Sequence, residues 1–297
     1  MAFCDWSSDV CSSDLFPEAP PRPEIVAETE RWLVARKPPA LHTVRSGKEG
    51  EAGPTLALWL ERERPECAAA GRPGEAGLLQ RLDFATSGLV LAAKDSAAFE
   101  FLSAAAAEGR FRKSYLLVCA PEPGGLEGSR PSFAEPNGID AESWHAAIAA
   151  REPVELARLS GSSPAPSVTS RFRAFGPGAR RVACLAEGAA PGLSRGWTAE
   201  TYSTLIESLA ALPDGSLVGV AKLTRGFRHQ IRSHFAWIGL PLSGDALYGG
   251  RDDERLRLHA AALEFPDPAG GAPARVLDPL VSLPSLPAAS PWVRIEE

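Results

Sequence analysis

Gln80-Arg81-Leu82-Asp83-Phe84-Ala85-Thr86-Ser87-Gly88-Leu89-Val90-Leu91-Ala92-Ala93-Lys94 carries a polar turn with one carboxylate straight into a short apolar run. Residues 88–93 are too few for a helix and read as a buried strand. Asp83 then stands at the mouth of that strand, beside the Thr86-Ser87-Gly88 turn, where loops on a rigid scaffold carry chemistry. Asp in such a turn also bonds its own backbone routinely. The window alone leaves both roles open.

Working outward, Asp95-Ser96 is an N-cap signal for a helix running to about Glu108, with Gly109 as its stop. Arg110 to Val118 follows as a strand with a basic entry that carries Tyr115. Asp83 therefore heads a strand–helix–strand unit. Upstream, Ile25 to Ala35 reads as one strand, broken at Arg36-Lys37-Pro38-Pro39 because proline cannot donate to a ladder. Thr55 to Arg64 reads as an amphipathic helix ended by Pro65, and Cys67 to Ala76 as a loop. Residues 121–197 are rich in Pro, Gly and Ser, with a short helix at 142–150 and a strand near 181–185. They are expected to be insertions around the sheet. Residues 200–212 and 216–224 form a strand pair around Pro213-Asp214-Gly215. In 224–239, Ile231, Phe235 and Ile238 recur at helical spacing, Gly239 ends the helix, and His229 and Arg232 share another face of its first turns. Residues 242–250 form a tight polar turn, 256–265 a late strand, and the Pro-rich tail from Pro266 a surface wrap.

The 297 residues, 44% hydrophobic and 23% charged, suffice for a sizeable core and exclude a disordered chain. No apolar run reaches the roughly 18 residues a membrane span needs. Residues 1–15 contain Ser-Ser-Asp twice without periodicity and resemble a translated sequencing adapter, a non-native segment to be set aside. Residues 16–24 form a Pro-rich lead-in to a domain over 25–297, in which 121–197 is the least readable stretch. Setting 1–15 aside takes the formal net charge from −6 to −3 and leaves Cys67, Cys119 and Cys184. Three widely spaced cysteines give neither a disulfide framework nor a zinc site, which points to the cytoplasm. A mild negative charge argues against a nucleic-acid coat protein but leaves room for a local basic groove.

His229 and His234 are not at zinc-hydrolase spacing around a Glu, no G-x-S-x-G elbow is present, and no P-loop is present. What remains is a carboxylate in a strand-top turn, a tyrosine on a basic strand and an Arg/His helix. Singly, Tyr115 reads equally as a core aromatic, Arg232 as a surface ion pair and His229 as a satisfied helix residue. Taken together and in order, residues 80–94, 112–118, 224–249 and 256–265 resemble the RNA pseudouridine synthases of the RluA-like branch, and Trp32 to Leu41 is similar to that family's early Lys-Pro segment.

The resemblance implies an α+β fold with a mixed, largely antiparallel central sheet, peripheral helices and a catalytic cleft. It implies isomerisation of a uridine in tRNA or rRNA to pseudouridine without metal or organic cofactor. Asp83 of Arg81-Leu82-Asp83 matches the family's catalytic aspartate, Tyr115 of Lys113-Ser114-Tyr115 its active-site tyrosine, and Arg232 of His229-Gln230-Ile231-Arg232 the arginine paired with the aspartate. Arg81, Lys113, Arg225, Arg228 and His229 are expected to contact RNA, mainly its phosphates. His259 is expected to be structural and the protein a monomer. The residue types suit the chemistry. A carboxylate is an anion at neutral pH and attacks without an activating base. A guanidinium fixes it with a planar fork, and a tyrosine stacks on a flipped base and places its hydroxyl. Gln80 replaces the family's usual His, and Arg225-Gly226-Phe227-Arg228 its usual Thr-Gly-Arg-Thr, departures that bear on substrate choice. Two other classes stay open: an RNA-binding relative without catalysis, and an Asp-dependent glycosidase. The latter needs a second carboxylate, for which Asp245, read here as a turn residue, is the only candidate.

Overall fold

A computed structural model describes residues 22–45, 53–189 and 196–281. The expected non-native segment 1–15, most of the lead-in at 16–24 and the end of the Pro-rich tail lie outside the described residues. In chain order the first elements are β1 (Glu24–Glu28), β2 (Trp32–Lys37), α1 (Leu56–Glu63), α2 (Glu66–Ala69), β3 (Ser87–Ala93), α3 (Ser96–Ala107) and β4 (Arg112–Cys119). There follow α4 (Ala141–Ala150), α5 (Pro153–Ser160), β5 (Ser167–Phe175), β6 (Arg181–Ala186), β7 (Tyr202–Ala211), β8 (Leu217–Leu223), α6 (Gln230–Trp237), β9 (Leu258–Phe265) and β10 (Ala274–Leu277).

The chain divides into two compact units. One, which holds Asp83, takes the described chain up to Tyr115, Leu223–Arg225 and the chain from Leu258. The other, which holds Arg232, takes Leu116–Lys222 and Gly226–Arg257.

In the Asp83 unit, β1 pairs antiparallel with β2, and β2 antiparallel with β3 from Trp32↔Ala93 to Lys37↔Gly88. β3 pairs in parallel with β9 through Ser87↔His259 and Gly88↔Ala260, and β10 adds antiparallel to β9. This is the expected mixed, largely antiparallel pairing in an α+β setting. Gly88 has φ +116°, and a Cβ there would stand 2.4 Å from the backbone N and O of Ala260, so only glycine lets β9 approach. Asp95 caps α3 by accepting from the Ala98 N–H at 2.8 Å, worth about 1 kcal/mol. The helix buries Ala98, Leu102 and Ala105 against Leu89, Leu91, Trp32 and Phe265.

In the Arg232 unit, β8, β7, β5 and β6 follow one another in antiparallel order. Helix α6 is buried along its whole length. Its His234 is held neutral, its pKa pushed down to about 3 by burial, between the hydroxyls of Ser170 (2.9 Å) and Thr204 (2.8 Å).

Four expectations change. The segment 25–35 is a hairpin and not one strand, and β2 continues through Arg36 and Lys37 because Pro38 is the first residue unable to donate. Residues 66–69 form a helical turn where a loop was expected. The stretch 121–197 supplies α5 and the sheet strand β5 beside the expected α4 and the expected strand near 181–185, which is β6. The tail beyond Pro266 forms β10 before leaving the described residues.

One buried polar chain ties this sheet together. Arg36 places Nε 2.8 Å from Oδ2 and Nη2 2.7 Å from Oδ1 of Asp278. His259 Nε2 donates to Asp278 Oδ2 at 3.0 Å, which leaves Nδ1 to accept the Ser87 hydroxyl at 2.9 Å. Ser87, His259 and Asp278 thus have the order of a hydrolytic relay, but Ser87 is 1% exposed and its hydroxyl points into the protein. His259 is structural, as expected. Burial alone would raise the Asp278 carboxyl, but the bonds from His259 and Arg36 outweigh it and hold the group well below the usual carboxylate range. Asp278→Ala is expected to cost up to about 3–5 kcal/mol in urea denaturation, since it takes away the two-point partner of a buried guanidinium and leaves it only Glu24. Because the folded carboxyl is depressed, its contribution is complete above about pH 4 and fades as the pH falls further. Equal stability of variant and wild type at neutral pH would show that the ion pair holds nothing in place.

Candidate active site

Asp83 lies in a short turn closed by the Thr86 N–H donating to its carbonyl at 3.1 Å. The turn is braced from two sides. The Thr43 hydroxyl donates to Leu82 O at 2.8 Å and accepts from Leu82 N at 3.1 Å. The Lys37 ammonium, fully buried at the end of β2, donates to Pro38 O (2.8 Å), Leu41 O (2.8 Å) and Phe84 O (3.3 Å). The Asp83 side chain itself is half-buried and Phe84, beside it, is exposed.

Two titratable groups of this unit feel the Asp83 charge. Burial pushes the Lys37 ammonium down to about 7, with the Asp83 carboxylate opposing the fall. Burial also pushes the Tyr115 phenol well above its usual range, and the Asp83 charge pushes it the same way. Tyr115 therefore keeps its proton across the working pH range. It is 8% exposed, at the point where β4 leaves the basic pair Arg112-Lys113. Two of the three sequence-predicted catalytic residues thus come into electrostatic reach of each other. The Thr86 hydroxyl oxygen is buried there without a hydrogen-bond partner among the described residues.

The third, Arg232, is buried in α6 of the other unit. Its Nε and Nη2 each lie 2.7 Å from an oxygen of Asp245, a two-point fork on a carboxylate that is 1% exposed. The Tyr248 ring lies under its guanidinium at 5.1 Å. Tyr248 also accepts from Val182 N at 3.0 Å and pairs its hydroxyl with His229 Nδ1 at 2.9 Å. Asp245 does close its turn, accepting from the Tyr248 and Gly250 N–H groups. It is more than the expected turn residue, however, because it also grips Arg232. That bond leaves it a poor candidate for a glycosidase acid, which needs a carboxyl free to hold a proton.

The expected RNA contacts differ in availability. Arg81 is exposed on the Asp83 turn. Lys113 is half-buried, its pKa lowered to about 8 by burial. Arg225 donates to Ala107 O at 2.9 Å, and Arg228 to Ala179 O (2.7 Å) and Arg181 O (3.1 Å), so both are exposed cations with a fixed direction. His229 precedes α6 in a left-handed conformation (φ 56°) and does not lie on its first turn as expected. Among the described residues no group of three His, Cys, Asp or Glu could hold a metal, and no helix is long and apolar enough to cross a membrane.

Sequence reasoning missed Lys37 as a brace of the Asp83 turn, and Asp245 and Tyr248 as the partners of Arg232 within its own unit. A lysine closing an apolar strand before Pro-Pro and a carboxylate between Leu242 and Leu247 were the available signals.

Comparison with known proteins gives the family. The family model for RNA pseudouridylate synthase matches residues 31–237. The chain is 26% identical over 283 residues to an uncharacterized RNA pseudouridine synthase of Helicobacter pylori, covering 90% of this chain and 72% of that protein. It is 29% identical over 235 residues to RNA pseudouridine synthase 1 of Oryza sativa subsp. japonica, covering 73% and 65%. The fold matches Human RNA Pseudouridylate Synthase Domain Containing 1 with a TM-score of 0.51 at 21% identity, over 86% of this chain and 83% of that one. The chain belongs to the RNA pseudouridylate synthase family, enzymes that isomerise uridine in RNA to pseudouridine. The RluA-like motifs in the sequence are consistent with this membership.

Two measurements check these assignments. Lys37 binds its proton more weakly folded than unfolded, so its linkage favours folding increasingly as the pH rises from about 7 to about 10. The stability of wild type relative to Lys37→Met in denaturant titrations should rise by a few kcal/mol across that window, and a flat difference would mean that Lys37 titrates normally. Asp245→Asn should lower turnover about tenfold or more while folding is retained, because the amide grips Arg232 with only one acceptor. Turnover equal to wild type would remove Asp245 from the site.

Proposed function

We propose that this chain converts a specific uridine of a structured RNA, a tRNA or rRNA, into pseudouridine, with Asp83 as the attacking carboxylate. The observation that carries the proposal is the Asp83 turn, braced by Thr43 and Lys37, with the charge of its carboxylate felt by a buried, protonated Tyr115. A carboxylate needs no activating base at neutral pH. A reactive group held on a fixed turn meets the sugar without reorganising.

In the proposed reaction the Asp83 carboxylate bonds C1′ as the N1–C1′ bond breaks, the uracil turns, and C5 displaces the carboxylate as the C5–C1′ bond forms. The proton leaves C5 and N1 takes one up, so the reaction is a net isomerisation. Tyr115 stacks on the uracil and holds its phenolic proton where C5 chemistry takes place. Arg232 supplies the guanidinium that steadies the carboxylate, and Asp245 fixes its orientation. Arg81, Arg225, Arg228, Lys113 and His229 serve the RNA backbone. The protein acts as a cytoplasmic monomer, in keeping with three buried, unpaired thiols among its described residues.

Total tRNA and rRNA incubated with wild type should gain pseudouridine at defined positions, read by chemical mapping, and with Asp83→Asn none. Tyr115→Phe should lose most of the turnover with little change in RNA affinity, and Arg232→Lys should lose turnover because an ammonium lacks the fork. Equal product from wild type and Asp83→Asn would end the nucleophile assignment. Binding of structured RNA without product would leave an RNA-binding relative.

A further inference from the structure

Four large apolar side chains among the described residues are exposed: Phe84, Phe101, Val154 and Leu280. Single exposed apolar residues are ordinary on a protein surface. Phe84 is different in three respects. It is 48% exposed and directly follows Asp83. Its ring is partnered by the imidazole of His42, also exposed, with centroids 4.7 Å apart and planes inclined by 43°. And the backbones that present the two rings are fixed to each other. The Lys37 ammonium bonds Phe84 O and Leu41 O at once, and Thr43, next to His42, holds both backbone groups of Leu82. His42 O also accepts from the first residue of α1, Leu56, at 2.9 Å. Two rings are thus set on ordered backbone, facing solvent, one residue from the proposed nucleophile and three from the exposed cation Arg81.

An exposed aromatic face on a turn that also carries an exposed guanidinium is the combination that takes an unpaired nucleotide. The ring stacks on the base, whose π-face every base shares, and the cation takes the phosphate. Tyr115 is buried and belongs to the target uracil, so the outer rings serve another base. We propose that Phe84 and His42 form a stacking platform for the nucleobase adjacent to the target uridine, holding that neighbour unstacked from the RNA while the uridine meets Asp83. This rests on Asp83 being the reactive carboxylate. It assigns to Phe84 and His42 a role in substrate choice, because stacking strength differs among bases and purines stack best.

The test uses single-stranded RNA oligonucleotides with 2-aminopurine placed either 5′ or 3′ of a uridine, since stacking on an aromatic side chain quenches its emission. Wild type should quench one of the two. Phe84→Ala should remove the quenching and weaken binding about tenfold, the usual scale for one lost base stack. Phe84→Trp should restore both, and His42→Ala should give a smaller loss. Asp83→Asn should quench as wild type does. On modified RNA, Phe84→Ala should raise KM with kcat nearly unchanged, the signature of lost binding rather than lost chemistry. Phe84 is exposed, so its replacement leaves the core intact, and a thermal melt of each variant confirms this. Quenching and affinity of Phe84→Ala equal to wild type would overturn the platform, whatever the activity. Conversely, quenching that depends on Phe84 in a protein that forms no pseudouridine would keep the platform and sink the catalytic assignment.

Discussion

The Asp83 unit depends on a single buried ion, the Asp278 carboxylate. Its oxygens hold the Arg36 guanidinium from β2 and the His259 imidazole from β9, and through His259 they reach the Ser87 hydroxyl at the start of β3. Those strands neighbour one another, with β3 in the middle. A carboxylate buried alone would be expelled or neutralised. Surrounded by an arginine fork and an imidazole N–H, it instead fixes the relative slide of the strands. Ser87 is four residues from Asp83, so the register fixed by this chain is also the register of the Asp83 turn. Gly88 makes the arrangement possible, because any side chain there would push β9, and His259 with it, away from β3.

A second buried carboxylate organises the Arg232 unit in a similar way. Asp245 both closes its own turn and fixes the guanidinium, and the Tyr248 ring covers that guanidinium while its hydroxyl reaches His229 and β6. The helix that carries Arg232 is wholly buried, so its geometry is set by packing rather than by solvent-exposed contacts. In both units the charged groups proposed for chemistry are steered by buried charged or polar neighbours. Such an arrangement preorganises electrostatics at the cost of tolerance to substitution.

Much of this was legible in the sequence where local signals were strong. The β3 run, the Asp95 cap of α3, the Pro-Asp-Gly turn between β7 and β8, and Gly239 at the end of α6 each follow from short-range chemistry. Asp83 and Tyr115 stood out only through the ordered set of motifs that resembles the pseudouridine synthases, because the turn and the basic strand entry each read two ways when taken alone. What escaped reading depends on partners distant in sequence. Strand β5 alternates Arg and Ser with Val and Phe, a pattern that pays off only when β6 and β7 flank it. Strand β10 hides between prolines and is a strand only because β9 offers an edge. Asp245 looked like any turn aspartate because nothing local reports that Arg232 will lie within 2.7 Å. Lys37 was set outside the strand with the two prolines that follow it, and nothing local reports that its ammonium is fully buried, which is rare for lysine. His229 takes a left-handed backbone that no propensity favours.

The Arg36–Asp278 bond joins residues 242 positions apart. During synthesis the turn that carries Asp83 leaves the ribosome early, whereas the ion that locks its strand emerges only after β10 has followed. Closure of so long a loop is slow and comes late in folding. Until then Arg36 has only Glu24 as its carboxylate partner, and β2 and β3 can pair but lack the bond that fixes β9 beside them. A nascent chain stalled within β9 therefore holds the Asp83 turn on an unfinished sheet. The carboxylate at 278 acts as a seal of completion: the register of the strand behind that turn is fixed only on a chain translated past that point.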